Sequence, residues 1–280
     1  MSPGDGADRS RRGGRWRTPR LWGLAVAVSA VVLSSSVSAV PERRATTFVV
    51  LQMNLCNSGA AKAKCYAFGK AVDEAVGKIR RYPPELVTLQ EICYDDLYAR
   101  TGWGKLAQAM ADRYGNGHVA VDFAPALNRD TDDWYRCVNG APFGLAVMHH
   151  YPGGEAHHGW YASQDSSEEI RAWLCTTVIP GRLTGCTTHL STDPPVAVRQ
   201  CHELMSILAA PWVLPQVIVT GDVNLRSAPG RPDCTLANFQ VRSDNDLQRV
   251  FFTSNIGWIG GRSENMRWTD HPLLYEKLRI

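Results

Sequence analysis

The chain has 280 residues, enough for one large domain or two small ones, and a formal net charge of +3. Residues 1–39 contain six arginines and two aspartates, a net charge of +4, so residues 40–280 carry −1. The basic character therefore belongs to the N-terminus, and no basic stripe remains that would by itself indicate a nucleic-acid-binding protein.

The N-terminal segment has the three parts of a secretory signal. An arginine-rich lead is followed by an apolar run, residues 21–33, and by a small-residue cleavage site that ends at Ala39. We therefore predict a signal peptide over residues 1–39, cleavage near Ala39 and an extracellular protein. An uncleaved membrane anchor is the alternative, but the three consecutive serines at 34–36 interrupt its apolar character.

Strands and helices alternate along the rest of the chain. Apolar β-branched runs predict strands, apolar residues at helical spacing predict helices, and Pro83-Pro84 ends the first helix. In chain order we predict strand 47–53, helix 67–81, strand 86–89, helix 97–114, a loop-rich strand region 115–140, strand 143–148, a hairpin of strands 171–179 and 183–189, helix 196–209, strands 217–220 and 249–253, and a closing segment 268–274. Because hairpins occur among the alternating elements, we expect mixed sheets.

All eight cysteines follow residue 39. An even number in an exported chain favours disulfides over buried free thiols, and the lack of a Cys-x-x-Cys pair argues against a zinc site. Sequence alone leaves the connectivity open. We expect the pairs Cys56–Cys65 across a local loop, Cys175–Cys186 across neighbouring strands, Cys93–Cys137 and Cys201–Cys234.

Polar residues follow several of the predicted strands. Strand 217–220 runs into Gly221-Asp222-Val223-Asn224, and on an extended segment two residues two positions apart point to the same side. Asp and Asn are also ordinary turn residues, so this pattern alone is weak. Other strand ends add Asn54, Gln90-Glu91, His189 and Asp270-His271. Because sites in α/β sheets collect at strand ends, the set indicates a functional site.

In chain order, Asn54, Gln90-Glu91, Thr188-His189-Leu190, Gly221-Asp222-Val223-Asn224 and Asp270-His271 resemble the motif series of the DNase I-like endonuclease/exonuclease/phosphatase superfamily, in a secreted bacterial-type member. The resemblance covers residues 46–280. It implies an α/β (α+β) fold, a four-layered sandwich of two packed mixed β-sheets flanked by helices, with the catalytic domain at residues 40–280. It also implies metal-dependent hydrolysis of phosphoesters.

The resemblance implies a metal-binding role for three of the matched residues. Glu91 would be the principal Mg²⁺ ligand with Asn54 beside it, and Asp270 would hold a metal-bound water or a second cation. A bound Mg²⁺ neutralises the charge that develops on the phosphate. Mn²⁺ and Ca²⁺ are alternatives to Mg²⁺.

The other matched residues would act on water and phosphate. His271 would be the general base, since imidazole titrates near neutral pH, and Asp222 would orient the nucleophile or assist protonation of the leaving group. Asn224 and His189 would donate hydrogen bonds to non-bridging phosphate oxygens. Arg171 precedes His189 where the family often has a phosphate-contacting arginine; a surface arginine at a strand start is the alternative.

The sequence departs from the family pattern at two places. The family usually pairs its last histidine with an aspartate on the penultimate strand, where this chain has Gln248. Asp244 or Asp246 could substitute, or the Gln248 amide could orient His271, although a neutral partner stabilises an imidazolium less well. Residues 143–146, Phe-Gly-Leu-Ala, stand where nuclease members often have a polar cassette, and we assign no phosphate ligand there.

These observations favour a secreted divalent-metal-dependent phosphodiesterase, most simply a nuclease, that acts as a monomer without an obligate protein partner. A phosphatase or phospholipase C-type enzyme acting on inositol phosphates or sphingolipids is the alternative within the same chemistry. Trp134-Tyr135, Trp160-Tyr161 or Trp258 would then supply an exposed apolar surface. A third hypothesis, a catalytically inactive disulfide-stapled binding protein, rests on Gln248.

Overall fold

The computed structural model describes residues 46–59, 65–151, 153–226 and 233–280. These residues belong to one compact unit that spans residues 44–280. The signal peptide predicted for residues 1–39 lies outside the described residues. Among the helices of the described ranges, none has the length and apolar character needed to cross a membrane.

Strands dominate the described part of the chain. The elements are β1 (Thr47–Asn54), α1 (Lys70–Arg81), β2 (Leu86–Cys93), α2 (Tyr94–Leu97), α3 (Lys105–Tyr114), a 3-10 turn (Asn116–His118), β3 (Ala120–Pro125), β4 (Leu127–Asn128), β5 (Phe143–His149), β6 (Ala156–Trp160), β7 (Glu169–Ile170), β8 (Ala172–Ile179), β9 (Leu183–His189), α4 (Pro194–Leu208), β10 (Gln216–Asp222), β11 (Phe239–Ser243), β12 (Gln248–Thr253), β13 (Gly257–Glu264) and β14 (Leu273–Arg279).

Two six-stranded sheets form the body of the protein. The first has the strand order β13-β14-β1-β2-β5-β3, and the second has the order β11-β12-β10-β9-β8-β6. Each sheet contains one parallel pair, β1–β2 in the first and β9–β10 in the second, while its other neighbouring strands are antiparallel. Strands β4 and β7 form a separate small pair. The expectation of mixed sheets is confirmed.

Side-chain alternation along β1 shows how the layers stack. Leu51 and Met53 belong to the core that packs against α1 and α3, whereas Phe48 and Val50 point the other way, into an apolar core shared with the second sheet. Helix α4 covers the outer face of the second sheet. The order helix, sheet, sheet, helix confirms the predicted α/β sandwich, and it explains why the central strands are apolar on both faces.

Several predicted elements differ from those observed. The helix predicted from residue 67 begins at Lys70, because Phe68 and Gly69 have φ angles of 54° and 81° that a helix cannot contain. The single helix predicted over 97–114 is wrong: α2 ends before a loop that contains Gly102 at φ 98°, and α3 starts after it. Strands β6, β11 and β13 were not predicted. All three lie at sheet edges, where strands are exposed and lack an apolar run.

The four expected disulfides are present, and no cysteine is free. The Cα–Cα distances are 5.9 Å for Cys56–Cys65, 6.1 Å for Cys93–Cys137, 4.0 Å for Cys175–Cys186 and 5.6 Å for Cys201–Cys234. Cys175 and Cys186 lie directly opposite each other on β8 and β9. Four disulfides in one domain indicate an oxidising environment.

His149, the last residue of β5, makes the fold sensitive to acid. Its side chain is fully buried, and the nearest carboxylate oxygen, Asp122 Oδ2, lies 3.9 Å from Nε2. Burial, reinforced by the neighbouring His150, lowers the pKa of His149 to about 4. Because the folded-state pKa lies below the unfolded value, the stability due to a neutral His149 is complete above about pH 6.5 and is lost as the pH falls towards 4.

We expect this group alone to lower the free energy of unfolding by about 2 to 3 kcal/mol between pH 7.5 and pH 4.5. The variant His149→Leu should lose most of that pH dependence, whereas His118→Leu, at an exposed position, should keep it. Urea unfolding at the two pH values measures the difference. Equal pH dependence in His149→Leu and the wild type would contradict the assignment.

Candidate active site

Polar residues of both sheets meet at one edge of the sandwich. In the first sheet the end of β1 places Asn54 beside Gln90, and in the second β9 and β10 end side by side at His189 and Asp222. The carboxyl ends of parallel strands point to the same edge of a sheet. Asn54 Nδ2 lies 3.2 Å from Asp222 Oδ2, so a hydrogen bond joins the two edges.

A cleft of about 350 Å³ opens at this edge. Seven residues singled out from the sequence line it: Glu91, Arg171, His189, Asp222, Asn224, Asp270 and His271. The eighth, Asn54, is fully buried beneath them. The cleft also contains Glu169, which the sequence analysis missed. The structure thus brings all the predicted site residues together.

Glu91 reaches the cleft through an irregularity in β2. The pairing of β2 with β5 shifts register between Leu89 and Ile92, and Glu91 has a φ of 54°. In a regular strand Glu91 and Gln90 would point to opposite faces, and Glu91 would face the helices. The bulge instead lets Glu91 line the cleft. This left-handed conformation costs a non-glycine residue about 1 kcal/mol, a strain typical of functional positions.

The Glu91 carboxylate is held in a poorly solvated place. Asn54 Nδ2 donates to Glu91 Oε1 at 2.8 Å, and His189 Nε2 lies 3.8 Å from the same oxygen. Burial, reinforced by nearby Glu169, raises the pKa of Glu91 to about 7 against the opposing effect of the Asn54 hydrogen bond. Asn54 Oδ1 accepts the backbone N–H of Cys56 at 3.0 Å. As placed, Asn54 therefore supports Glu91 as a hydrogen-bond donor.

Asp222 is surrounded by donors. Its Oδ2 accepts hydrogen bonds from Gln248 Nε2 at 2.8 Å and Asn54 Nδ2 at 3.2 Å, and its Oδ1 accepts the backbone N–H of Asn224 at 3.0 Å. His271 Nδ1 lies 3.4 Å from Oδ2. Three donors fix the carboxylate, and His271 Nδ1 lies beside Oδ2, the oxygen that accepts from two of them.

A buried network of amides sets the orientation of Gln248. Gln52 Nε2 donates to Gln248 Oε1 at 2.7 Å, and Gln52 is held by Gln90 and by a hydrogen bond of 2.8 Å from Thr88. Gln248 Nε2 consequently faces Asp222 and lies 3.2 Å from His271 Nδ1. This nitrogen only donates, so it can offer a hydrogen to an unprotonated His271 Nδ1, whereas a proton on His271 Nδ1 would find its acceptor in Asp222, 3.4 Å away.

The other two carboxylates considered as partners of His271 point elsewhere. Asp244 Oδ1 lies 3.7 Å from Arg249, and Asp246 Oδ1 lies 2.7 Å from Arg226. The carboxylate beside His271 Nδ1 is instead that of Asp222, at the end of the neighbouring strand β10.

Asn224 reaches the cleft by a turn rather than by strand periodicity. Strand β10 ends at Asp222, and Asn224 has a φ of 51°, so the expected extended geometry over residues 222–224 is wrong. Asparagine adopts this left-handed conformation more readily than most residues. One Nδ2 hydrogen of Asn224 donates to Leu190 O at 2.8 Å, and the amide has a second hydrogen left for a ligand.

Arg171, Glu169 and His189 form a second charged group on the opposite wall. Arg171 NH1 lies 2.8 Å from His189 Nδ1 and 3.2 Å from Glu169 Oε1. Burial, reinforced by Arg171, lowers the pKa of His189 well below its usual value, and burial raises the pKa of Glu169. Arg171 is only 6% exposed, so it is not the surface arginine that the sequence allowed. The buried Arg171 Nε has no hydrogen-bond partner.

The signals for the residues that the sequence analysis missed are weak. Glu169 and Arg171 stand two positions apart around the short strand β7, and so do Gln52 and Asn54 on β1. Polar residues that alternate with apolar ones inside a strand usually indicate a solvent-facing side, whereas here that side faces the other sheet.

The donor set suits a hard divalent cation. Four carboxylates, those of Glu91, Glu169, Asp222 and Asp270, line the cleft, and Asp270 Oδ1 lies 3.4 Å from His271 Nε2. A buried carboxylate whose pKa is raised gains from a nearby cation. Mg²⁺ is commonly held by one or two carboxylates and keeps several waters. The residues present therefore fit such an ion.

No family model matches the chain, and no curated protein matches it. Solved structures do. An endonuclease/exonuclease/phosphatase from Beutenbergia cavernae DSM 12333 is similar with a TM-score of 0.60 and 17% identity, over 84% of this chain and 72% of that chain. D. rerio TDP2 complexed with single strand DNA product is similar with a TM-score of 0.55 and 15% identity, over 84% and 100% of the two chains. ANGEL2, a 2′,3′-cyclic phosphatase, in complex with adenosine-2′,3′-vanadate, has a TM-score of 0.56 and 10% identity, over 84% and 96%.

These likenesses establish the fold. At identities of 10 to 17%, they show that the described chain adopts the endonuclease/exonuclease/phosphatase fold over most of its length. The fold expected from the strand-end motifs is thereby confirmed. Because one fold carries many activities, the activity of this chain depends on the residues of its own cleft.

Proposed function

We propose that the protein is a divalent-metal-dependent phosphodiester hydrolase that acts on nucleic acid. The observation that carries this proposal is the convergence of the His271–Asp222 pair and the buried Glu91 carboxylate in one cleft. Solved structures of the same fold hold a DNA product or an adenosine-2′,3′-vanadate, which supports a nucleotide phosphoester as the substrate class.

His271 would activate the attacking water. With its Nδ1 hydrogen directed to Asp222, 3.4 Å away, the imidazole would present Nε2 to a water in the cleft and take its proton. Asp222 would hold the ring in this tautomer, and it would stabilise the imidazolium that forms. Gln248 would act one step further away, by donating to Asp222 at 2.8 Å and fixing its position.

Three residues would bind the phosphate. The depressed pKa of His189 keeps its ring neutral, so it would donate one N–H to a non-bridging oxygen. The second amide hydrogen of Asn224 would make a similar bond, and the Arg171 guanidinium, which lines the cleft, would add positive charge. Donors placed where negative charge develops stabilise the transition state most.

Glu91 would hold the cation, and Asn54 would support Glu91 by donating a hydrogen bond to it. Asp270, whose Oδ1 lies 3.4 Å from His271 Nε2, would hold a metal-bound water or a second cation. A bound Mg²⁺ would neutralise charge on the phosphoryl oxygens. Mn²⁺ is the first substitute to test, because it takes the same oxygen ligands.

We further propose that the protein is secreted, with residues 1–39 as signal peptide and residues 40–280 as the catalytic domain. The four disulfides support an oxidising compartment. The three-part N-terminal pattern supplies the route of export.

The purified protein should hydrolyse bis-p-nitrophenyl phosphate in Mg²⁺ or Mn²⁺, and EDTA should lower the rate by about two orders of magnitude or more. Restoring the metal in excess should restore the rate, because the disulfides keep the fold intact without the ion. Release of p-nitrophenolate measures the activity, and circular dichroism in EDTA checks the fold.

A panel of plasmid DNA, RNA, sphingomyelin and inositol phosphates would separate nuclease activity from the lipid and inositol alternatives. Trp134, Trp160 and Trp258 are exposed, as the lipid alternative requires, whereas Tyr135 and Tyr161 are buried. No turnover above a His271→Ala background, with any metal or substrate, would support a catalytically inactive binding protein.

A further inference from the structure

A second cleft, of about 500 Å³, adjoins the candidate active site. Cys65 and Asp270 line both clefts, so the two are continuous. The second cleft is bounded by the segment before α1 and by the segment before β14. Apart from Asp270, none of its lining residues takes part in the proposed hydrolytic chemistry, and they differ in kind from those around Glu91.

Two cations stand in the second cleft. Lys70 Nζ lies 4.3 Å from the ring centroid of Trp268, and Arg267 Cζ lies 4.8 Å from it. Both side chains are exposed, and no ion pair joins either of them to a carboxylate of the described ranges. The cleft thus offers positive charge that a phosphate can take up.

The wall that carries Arg267 and Trp268 is fixed to the body of the protein. Glu74 Oε2, on α1, accepts the backbone N–H groups of Arg267 at 2.9 Å and Trp268 at 3.2 Å. Thr269 Oγ1 donates to Asn54 O at 3.0 Å. The position of Trp268 relative to Asn54 and the active site is therefore set by hydrogen bonds on both sides.

Phe68 stands out on the opposite wall. Its ring is 82% exposed, and its φ of 54° is a left-handed conformation that bulky residues rarely adopt. Exposing the ring and straining the backbone both oppose folding, so neither is explained by stability. Tyr66 flanks it, with ring centroids 4.8 Å apart. The two ring planes are inclined by 49°, so a flat base can stack on the exposed Phe68 ring with Tyr66 at its edge.

Unpaired cations and exposed aromatic rings together are the features by which proteins bind single-stranded nucleic acid. Cations and an exposed aromatic ring can also bind a membrane surface, but membrane binding requires a larger contiguous apolar area. Around the second cleft, the described chain exposes two large apolar side chains, Phe68 and Val138. Charge and continuity with the hydrolytic cleft favour the polymer.

We propose that the second cleft binds the nucleotides next to the scissile phosphate of a single-stranded nucleic acid, with Phe68 stacking on a base and Lys70 and Arg267 contacting the backbone. This proposal rests on the proposed function, since the scissile phosphate is placed at His271. It specifies that the substrate is single-stranded rather than duplex nucleic acid, and it names the residues that would select the single strand.

Binding of a fluorescein-labelled single-stranded DNA 8-mer, followed by fluorescence anisotropy in the His271→Ala background, tests the proposal without turnover. Phe68→Gly should weaken binding about tenfold or more. Its thermal midpoint should equal or exceed that of the parent, because glycine relieves the left-handed strain. Lys70→Ala should reduce the slope of log K against log salt by about 0.7. Trp160→Ala, at an exposed aromatic on β6, is the matched control and should bind like the parent.

The outcomes distinguish this proposal from the proposed function. Equal affinity of Phe68→Gly and Trp160→Ala for the 8-mer overturns the cleft assignment, as does tighter binding of a duplex of the same length. Phe68-dependent sedimentation with anionic phospholipid vesicles, without Phe68-dependent DNA binding, overturns it in favour of a membrane. Hydrolysis of bis-p-nitrophenyl phosphate by the wild type is a separate test. If the wild type does not hydrolyse it, the proposed hydrolase function is contradicted, whereas the result of the binding experiment is unaffected.

Discussion

Replacing His271 by alanine should lower kcat/KM for phosphodiester hydrolysis by about 10³-fold, because a positioned general base contributes about 10²–10⁴ to a rate. The expectation depends on the contacts of both ring nitrogens. Nδ1 lies 3.4 Å from Asp222 Oδ2 and 3.2 Å from Gln248 Nε2, and Nε2 lies 3.4 Å from Asp270 Oδ1. The contacts of Nδ1 orient the His271 ring, and Nε2 is then placed to take a proton from a water in the cleft.

The fold should tolerate this change. The His271 side chain is 15% exposed and lies at the wall of the cleft, so truncation leaves no enclosed cavity, and we expect the free energy of unfolding to change by about 1 kcal/mol or less. His157→Ala is a matched control, because that histidine is also partly exposed but pairs with Glu155 at 3.6 Å outside the cleft. If both variants kept wild-type kcat/KM for bis-p-nitrophenyl phosphate, His271 would not be the base.

Replacing Glu91 by glutamine should also lower kcat/KM by about 10³-fold, and it should do so without destabilising the protein. Glutamine keeps an oxygen that can accept from Asn54, which donates to Glu91 Oε1 at 2.8 Å, and it removes a charge that is poorly solvated. In EDTA the variant should therefore unfold at the same temperature as the wild type or at a higher one.

The effect of Mg²⁺ on the thermal midpoint shows whether Glu91→Gln removes a metal ligand or only an unrelated contact. Mg²⁺ at millimolar concentration should raise the thermal midpoint of the wild type, since an ion that binds only the folded state stabilises it, and it should leave Glu91→Gln nearly unaffected. Glu276→Gln is the matched control. The Glu276 carboxylate, on β14, is buried, its pKa is raised by burial, and it accepts a hydrogen bond from Trp258 Nε1 at 2.7 Å. An equal Mg²⁺ response in Glu91→Gln and the wild type would remove Glu91 from the metal site.

Much of the architecture follows from local sequence patterns. The apolar runs that end at Asn54 and Asp222 predict buried strands, because a strand covered on both faces must be apolar at successive positions. Parallel neighbours then bring their polar ends to one edge, and that edge is where the cleft lies. The even set of cysteines outside the N-terminal segment likewise predicts complete pairing, as observed.

The arrangement inside the cleft depends on contacts between residues that are far apart in the chain. A bulge in β2, set by its pairing with β5, delivers Glu91. Gln52 on the first sheet orients Gln248 on the second, and Gln248 then secures Asp222 beside His271. Strand periodicity determines which residues are buried. Register, amide orientation and partner choice are decided only when the two sheets pack, because a buried donor or acceptor must find its partner across that interface.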